Sequence, residues 1–309
     1  MFSSPFATPE AKIKHNHRQA MPLTLPLRND ARRWQLDRDA ARNYQQVLVP
    51  VVLQPWAVRL ANRAALSPGC RVLDLACGTG VAARIAAERV GPSGEVLGID
   101  MNAAMLSIAR SLKPISGARI RWRCGDAEHL PALDPPFDVV LCQQGFQFFP
   151  DPMKAAQETA RVLRPGGRLA LSVWCGPDRN PLAAALVGAL QSGGYPAFSD
   201  ALGCPFSVRN RRQITGPIAR AGFQLLTSEL SRLRIYAANA TAFIHGFLRA
   251  MPFSGEIKEP DVETLVRDTI SGLGNYVRQG QLRVPSEAHI IVAVRPIEPF
   301  RRDRPRTKS

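Results

Sequence analysis

The sequence predicts an α/β fold, a parallel sheet with helices on both faces. Three observations carry this. From residue 67 onward, short apolar runs alternate with segments of helical periodicity; glycine- and proline-rich breakers separate them; and the first run ends in a glycine-rich turn. Residues 31–66 read as helical: Trp34, Tyr44, Val47, Leu48, Val51, Val52, Trp56, Val58 and Leu60 recur at mostly helical spacing, with Pro50 and Pro55 as interruptions. Ser67-Pro68-Gly69 is a turn. Arg71–Leu75, Glu95–Ile99, Arg119–Arg123, Phe137–Cys142 and Arg168–Trp174 then read as strands, with helices expected at 80–90, 102–112 and 152–163. Gly91-Pro92-Ser93-Gly94 breaks the chain before the second strand, and Pro165-Gly166-Gly167 closes a helix and starts the fifth. Beyond Trp174 the pattern predicts helices at 181–192 and 209–221, a strand at 223–235, a helical insertion over 239–280 and an apolar strand at Ala288–Val294.

The flanks differ in character. Residues 1–30 hold four prolines and no continuous apolar block, and are expected to form a disordered basic lead-in; residues 298–309 are expected to be a disordered basic tail. The formal net charge is +15. Lys12, Lys14, Arg18 and Arg28 against Glu10 give residues 1–29 a net +3, and Arg301, Arg302, Arg304, Arg306 and Lys308 against Asp303 give residues 300–309 a net +4. Nearly half the excess therefore sits at the ends, where it adds salt-sensitive attraction to polyanions without defining a surface that reads nucleic acid. No apolar run approaches the roughly 20 residues of a membrane span. The six cysteines, Cys70, Cys77, Cys124, Cys142, Cys175 and Cys204, form no C-x-x-C pair, so no metal site and no disulfide framework is expected, and a cytoplasmic location follows.

The most informative segment is Asp74-Leu75-Ala76-Cys77-Gly78-Thr79-Gly80, at the end of the first strand. Gly78 and Gly80 allow a sharp turn and close approach of backbone to a ligand. Asp100 follows at the end of the second strand, where a carboxylate can accept hydrogen bonds from a ribose. Gly78-Thr79-Gly80-Val81-Ala82-Ala83 also satisfies the dinucleotide pattern G-x-G-x-x-A, so an NAD-dependent oxidoreductase is a competing reading. Charge favours another ligand. A pyrophosphate would meet Asp74 at close range, whereas S-adenosylmethionine brings a sulfonium and an ammonium to it. Asp126, in Gly125-Asp126-Ala127-Glu128, adds an acid past the third strand that can bond an adenine amine. Gln143 opens a stretch of amides and aromatics, through Phe149, after the fourth strand.

Val72–Gly80, Gly98-Ile99-Asp100, Gly125–Glu128, Phe137-Asp138-Val139-Val140 and Arg161–Gly167 together resemble the successive motifs of class I S-adenosylmethionine-dependent methyltransferases, in the style of the ubiquinone and menaquinone C-methyltransferases. The resemblance covers residues 67–175, and more loosely Ala288–Arg295. It implies a Rossmann-like, mostly parallel seven-stranded sheet with the last strand antiparallel, helices on both faces and helical cap insertions. It further implies that Asp74, Gly78 and Gly80 hold the methionine part of the cofactor, Asp100 the ribose, and Asp126 with Ala127 the adenine, with Ala76, Cys77, Thr79, Met101 and Gln143 completing the pocket. Residues 31–297 would form one domain: an N-terminal cap (31–66), a cofactor core (67–175) and a substrate-side half (176–297) bearing the 239–280 insertion. Gln143–Phe149 departs from the quinone enzymes, so their acceptor is not carried over. The function expected is methylation of a small-molecule acceptor. An RNA methyltransferase and a non-catalytic cofactor-binding module compete with it, beside the oxidoreductase.

Several residues carry sharp and plain readings together. Phe146, Phe148 and Phe149 suit core or pocket wall equally. The stripe Phe243, Phe247, Met251, Phe253 is more simply the buried face of a helix than a lid. His245 is a candidate base only in outline, His129 reads as a surface residue, Tyr44 and Trp56 as packing, and Asp138 as structural. The catalytic residue is not assigned.

Overall fold

Strands buried on both faces favour near-continuous apolar runs, and the central strands here carry them, with Asp74 as a buried exception. The computed structural model describes residues 34–208 and 210–297; the expected lead-in and tail lie outside the described residues. The strands are β1 (Arg71–Leu75), β2 (Glu95–Asp100), β3 (Arg119–Cys124), β4 (Phe137–Gln143), β5 (Leu163–Trp174), β6 (Gln224–Ala237), the two-residue β7 (Val277–Arg278) and β8 (Gln281–Val294). Their order is β3-β2-β1-β4-β5-β8-β6, with β7 paired to β8 alone. β8 runs antiparallel to both neighbours, and the pairs among β1 to β5 are parallel. Seven long strands thus give the expected mixed sheet, and the eighth is a hairpin remnant inside the stretch read as helical insertion.

Alternate residues of each strand feed two cores. Val72, Val96, Val139 and Leu141 pack on one face with α2 (Gln54–Arg63), α3 (Val81–Val90) and α6 (Pro181–Ser192). Leu73, Leu97, Ile99, Val140 and Leu171 pack on the other with α5 (Pro152–Val162) and α8 (Arg212–Arg220). The chain order reverses between β1 and β4. That switch point opens a crevice at the carboxyl ends of the strands, where open sheets bind ligands.

Two additions roof this crevice. The first is the helical stretch formed by α1 (Arg38–Asn43), a π-helical turn over Tyr44–Leu53, and α2. Pro50 and Pro55 do not break it. Pro50 sits inside the π-helical segment, and Pro55 lies in the first turn of α2. The second is the ribbon of β6 and β8. Pairing of β8 to β5 stops at Ala288, yet pairing to β6 continues to Leu282, so Leu282–Glu287 arch beyond the sheet. β8 is thus twice the length of the run Ala288–Val294. Pro285, Ser286 and Glu287 break the apolar pattern and hide its first half. α7 (Pro196–Gly203), α9 (Ala240–Arg249) and α10 (Glu259–Leu273) complete the roof.

One buried network ties the roof to the sheet. Trp56 Nε1 donates to Ser286 Oγ (3.3 Å), which donates to Asn180 Oδ1 (3.1 Å). Asn180 Nδ2 donates to the Cys175 carbonyl (2.9 Å) and the Glu287 carbonyl (3.1 Å), and Asn180 Oδ1 accepts from Glu287 N (3.0 Å). An amide with every group paired is costly to remove, because its partners are left dry and unbonded. We expect Asn180→Ala to cost about 2–4 kcal/mol of unfolding free energy, measured by urea denaturation. A loss below that of an average surface substitution would show the network to be dispensable.

Candidate active site

The turn after β1 alternates through the left-handed region: Ala76 at φ +56°, Gly78 at +56° and Gly80 at +88°. Two carboxylates hold it there. Asp100 at the end of β2 accepts from Gly78 N (2.7 Å) through Oδ2 and from Asn102 N (2.8 Å) through Oδ1. Asp74 is 1% exposed and accepts from Ala83 N (2.7 Å), fixing the first turn of α3. Its other oxygen is buried with no hydrogen-bond partner among the described residues. Burial, with a smaller push from Asp100 and against the Ala83 bond, raises the Asp74 carboxyl to about 7. Burial likewise raises Asp100.

Gly78 and Gly80 serve different ends. A Cβ on Gly78 would have only the Tyr44 hydroxyl near it, at 4.0 Å, so its open side faces the crevice. A Cβ on Gly80 would sit 2.2 Å from Trp122 Cη2, and one on Gly98 2.5 Å from Trp122 Cε3. Gly80 therefore makes room for an indole rather than for a ligand. Of the two glycines, only Gly78 presents an open side to the cavity. Sequence reasoning misses Trp122, although its alternation with Ile120 along β3 already places both on one face.

A cavity of about 530 Å³ runs along the carboxyl edge. Ala76, Gly78, Asp100, Met101, Asp126, Ala127 and Gln143 line it, so the acids following β2 and β3 converge as expected. Asp74, Cys77, Thr79 and Gly80 do not line it and lie one layer below. Asp126 accepts from Glu128 N (2.9 Å) and pairs with His129 Nδ1 (3.0 Å); these bonds outweigh its partial desolvation and lower its pKa. Gln143 Nε2 donates to the Leu53 carbonyl (2.7 Å), joining β4 to the roof. Tyr44 also lines the cavity; burial and the nearby Asp100 and Asp74 hold its phenol well above the usual value, in its protonated form. No hydrogen bond to its hydroxyl forms among the described residues.

The far end of the cavity is built by later elements. Phe148, Phe149, Phe247 and Met251 line it, whereas Phe146, Phe243 and Phe253 are buried away from it. Half of the aromatic stripe thus is pocket wall. Trp56 is packing, edge-on to Trp174 at 5.6 Å. His245 pairs with Glu259 (3.2 Å), is exposed and does not reach the cavity, so it is no base for this site. Asp138 accepts from Arg71 N (2.8 Å) and pairs with Arg164 (2.6 Å), a structural role. His129 is more than a surface residue, for it reaches the cavity rim.

A Rossmann-like sheet with a glycine turn and acids after β1, β2 and β3 defines the class of protein. Residues 72–167 match the family model described as a methyltransferase domain. A ubiquinone/menaquinone biosynthesis C-methyltransferase of Bordetella parapertussis is 42% identical over 114 residues, 37% of this chain and 44% of the relative. An arsenite methyltransferase of Halobacterium salinarum is 40% identical over 110 residues, 35% of this chain and 28% of the relative. The chain spans about half or less of the length of these curated relatives. Among solved structures, the YcgJ protein from Bacillus subtilis superposes with a TM-score of 0.51 at 18% identity, covering 78% of this chain and 97% of that one. Phosphoethanolamine N-methyltransferase 2 of Haemonchus contortus, solved with S-adenosyl-L-methionine, gives 0.53 at 19%, covering 84% and 57%. These likenesses establish the fold.

The turn can be tested at two points. Gly80→Ala should cost about 2–4 kcal/mol, from backbone strain and overpacking against Trp122. Trp122→Leu should relieve part of that loss in a double-mutant cycle, and strict additivity would refute the contact. For Asp74, a folded pKa above the ordinary 3.8 means that the folded state binds the proton more tightly. Its stabilising contribution is full below about pH 4 and is lost as pH rises through 7. Asp74→Asn keeps an acceptor for Ala83 N and removes that loss. In ligand-free protein its melting temperature relative to the parent should therefore climb between pH 5 and 8. Parallel curves would rule the effect out.

Proposed function

We propose that the protein is an S-adenosylmethionine-dependent methyltransferase acting on a small-molecule acceptor. The observation that carries the reading is a pair of acids at the left-handed glycine turn: Asp74, buried beneath the cavity, and Asp100, half-buried and lining it. Both carboxyls are pushed toward neutrality by burial, and Asp74 keeps one oxygen without a partner. A cation nearby relieves that cost; a pyrophosphate would raise it. The donor set thus fits a sulfonium and ammonium ligand better than a dinucleotide.

When bound, the cofactor supplies a methyl group activated on a positively charged sulfur. The chain's own residues do the rest. Asp100 commits one lone pair per oxygen to Gly78 and Asn102, leaving lone pairs free for ribose hydroxyls. Asp126 and Ala127 stand where adenine would be bonded, and Met101 beside it. Asp74, Cys77, Thr79 and Gly80 shape the turn from below and act through it. Tyr44, held protonated, can offer a hydrogen-bond donor beside Gly78 but not a base. Roof and sheet together exclude water and fix the acceptor, the main protein contribution to a displacement that needs orientation more than a catalytic dyad. We assign residues 67–175 to the cofactor and 176–297 to the acceptor. A cytoplasmic site of action fits six unpaired cysteines. No helix among the described residues is long and apolar enough to cross a membrane.

Calorimetric titration with S-adenosylhomocysteine, with NADH in parallel, tests the reading. Micromolar binding of the first alone is expected. Asp100→Ala should weaken it about tenfold or more, roughly 1.4 kcal/mol per decade. Binding of NADH alone, or an unchanged affinity in the variant, would overturn the assignment.

A further inference from the structure

The far half of the cavity differs from the cofactor end in chemistry. Its walls come from β5, α6, α7 and α9 and from the short turn before Ser207, through Trp174, Leu182, Leu202, Phe206, Phe247 and Met251. Trp174 and Phe206 stack with ring centroids 5.9 Å apart and a 23° interplanar angle, and both line this end as near-parallel aromatic rings. The polar side chains at this end, Asn180 and Ser286, are occupied by each other, by Trp56 and by the backbone. The titratable groups that line the cavity are Tyr44, Asp100, Asp126, Glu128 and His129, from the π-helical turn and the loops after β2 and β3. Among the described lining residues none is lysine, arginine or cysteine.

Resting on the methyltransferase reading, we propose that the acceptor is an uncharged, mainly apolar molecule with a flat ring system, seated in this far half against Trp174 and Phe206. The chemistry disfavours other acceptor classes in turn. A phosphorylated acceptor entering this end would lose its hydration and find no cation, and an unpaired buried charge costs several kcal/mol. A thiophilic metalloid would find no thiolate, since Cys77 and Cys142 are buried outside the lining. An apolar ring gains instead: burial contributes about 25 cal/mol per Å² of apolar surface, and face-to-face contact with an aromatic wall adds to it. The relatives that act on arsenite or phosphoethanolamine therefore share this chain's cofactor chemistry without its acceptor chemistry.

The test uses the full chain saturated with S-adenosylhomocysteine, titrated with 1-naphthol, naphthalene-1-sulfonate and phosphoethanolamine, read by calorimetry and by quenching of tryptophan fluorescence. The two naphthalenes share a body and differ in a fixed charge. We expect 1-naphthol to bind about tenfold or more tighter than the sulfonate, and phosphoethanolamine not to bind. Met251→Lys should narrow or invert that ratio by placing a cation in the wall; Phe247→Ser, a milder change, should weaken 1-naphthol while leaving S-adenosylhomocysteine binding in place. Equal or tighter binding of either charged probe by the parent protein overturns the proposal, and so does absence of 1-naphthol binding in a protein that binds S-adenosylhomocysteine. Failure of S-adenosylhomocysteine itself to bind counts against the methyltransferase reading instead, and the 1-naphthol comparison is then made on the ligand-free chain with the same outcomes.

Discussion

Two carboxylates at the ends of adjacent parallel strands, Asp74 buried and Asp100 half-buried against the cavity, are the constraint on which the site depends. Asp74 and Asp100 each bond backbone N–H groups, and those bonds hold Gly78 left-handed and anchor the start of α3. Desolvation pushes both acids toward their neutral forms, and the nearby Asp100 adds a smaller push on Asp74. The turn is thus built around an electrostatic cost that a cationic ligand offsets. Linkage makes the relation reciprocal: a ligand that favours the ionised acids is itself bound more tightly by them. Asp74 needs no contact for this. A charge one layer below the cavity, in a region of low dielectric, acts across several ångströms.

The roof follows from a second constraint, that a crevice at a sheet edge is open unless something crosses it. The helical stretch from Arg38 to Arg63 does so by staying continuous through Pro50, with irregular hydrogen bonding in the π-helical turn. That turn delivers Tyr44, Leu48, Val52 and Leu53 to the cavity, consistent with π-helical insertions occurring where side chains must be re-aimed. The β6–β8 ribbon crosses from the other side, bringing Ile235, Pro285 and Ser286. The network around Asn180 reaches both systems, so cap and ribbon support the roof together.

Much of this is legible in the sequence because the signals are local. β1 can be placed to the residue, since Arg71–Leu75 is an apolar run bounded by Gly69 and the glycine turn. The acids after β2 and β3 can be placed because a parallel sheet puts every such residue on the same edge. The rest depends on long-range contacts. Trp122 filling the space over Gly80 and Gly98 ties β2 and β3 to the turn after β1, a long-range contact that residue spacing does not announce. α7 escapes sequence reasoning because Pro196–Gly203 is short and weakly periodic. The first half of β8 escapes it because it pairs with β6 and, at its start, with the two-residue β7 but not with β5, so its outer positions carry polar residues. Four site residues, Asp74, Cys77, Thr79 and Gly80, belong to the turn as their spacing implies, but the turn's depth cannot be read from the chain.

The same division explains why similarity says more about the cofactor than about the acceptor. The family match covers residues 72–167, which contain the turn, Asp100, Asp126 and Gln143. Leu48, Val52, Trp174, Leu182, Phe206, Phe247 and Ser286, which shape the other half of the cavity, all lie outside it. A methyl donor demands one arrangement of acids and backbone whatever receives the methyl group, so that segment can stay alike among enzymes of different substrates. The acceptor walls answer to a different molecule in each case. Under the proposed reading, a family match confined to residues 72–167 is what separate demands on the two ends of one cavity produce.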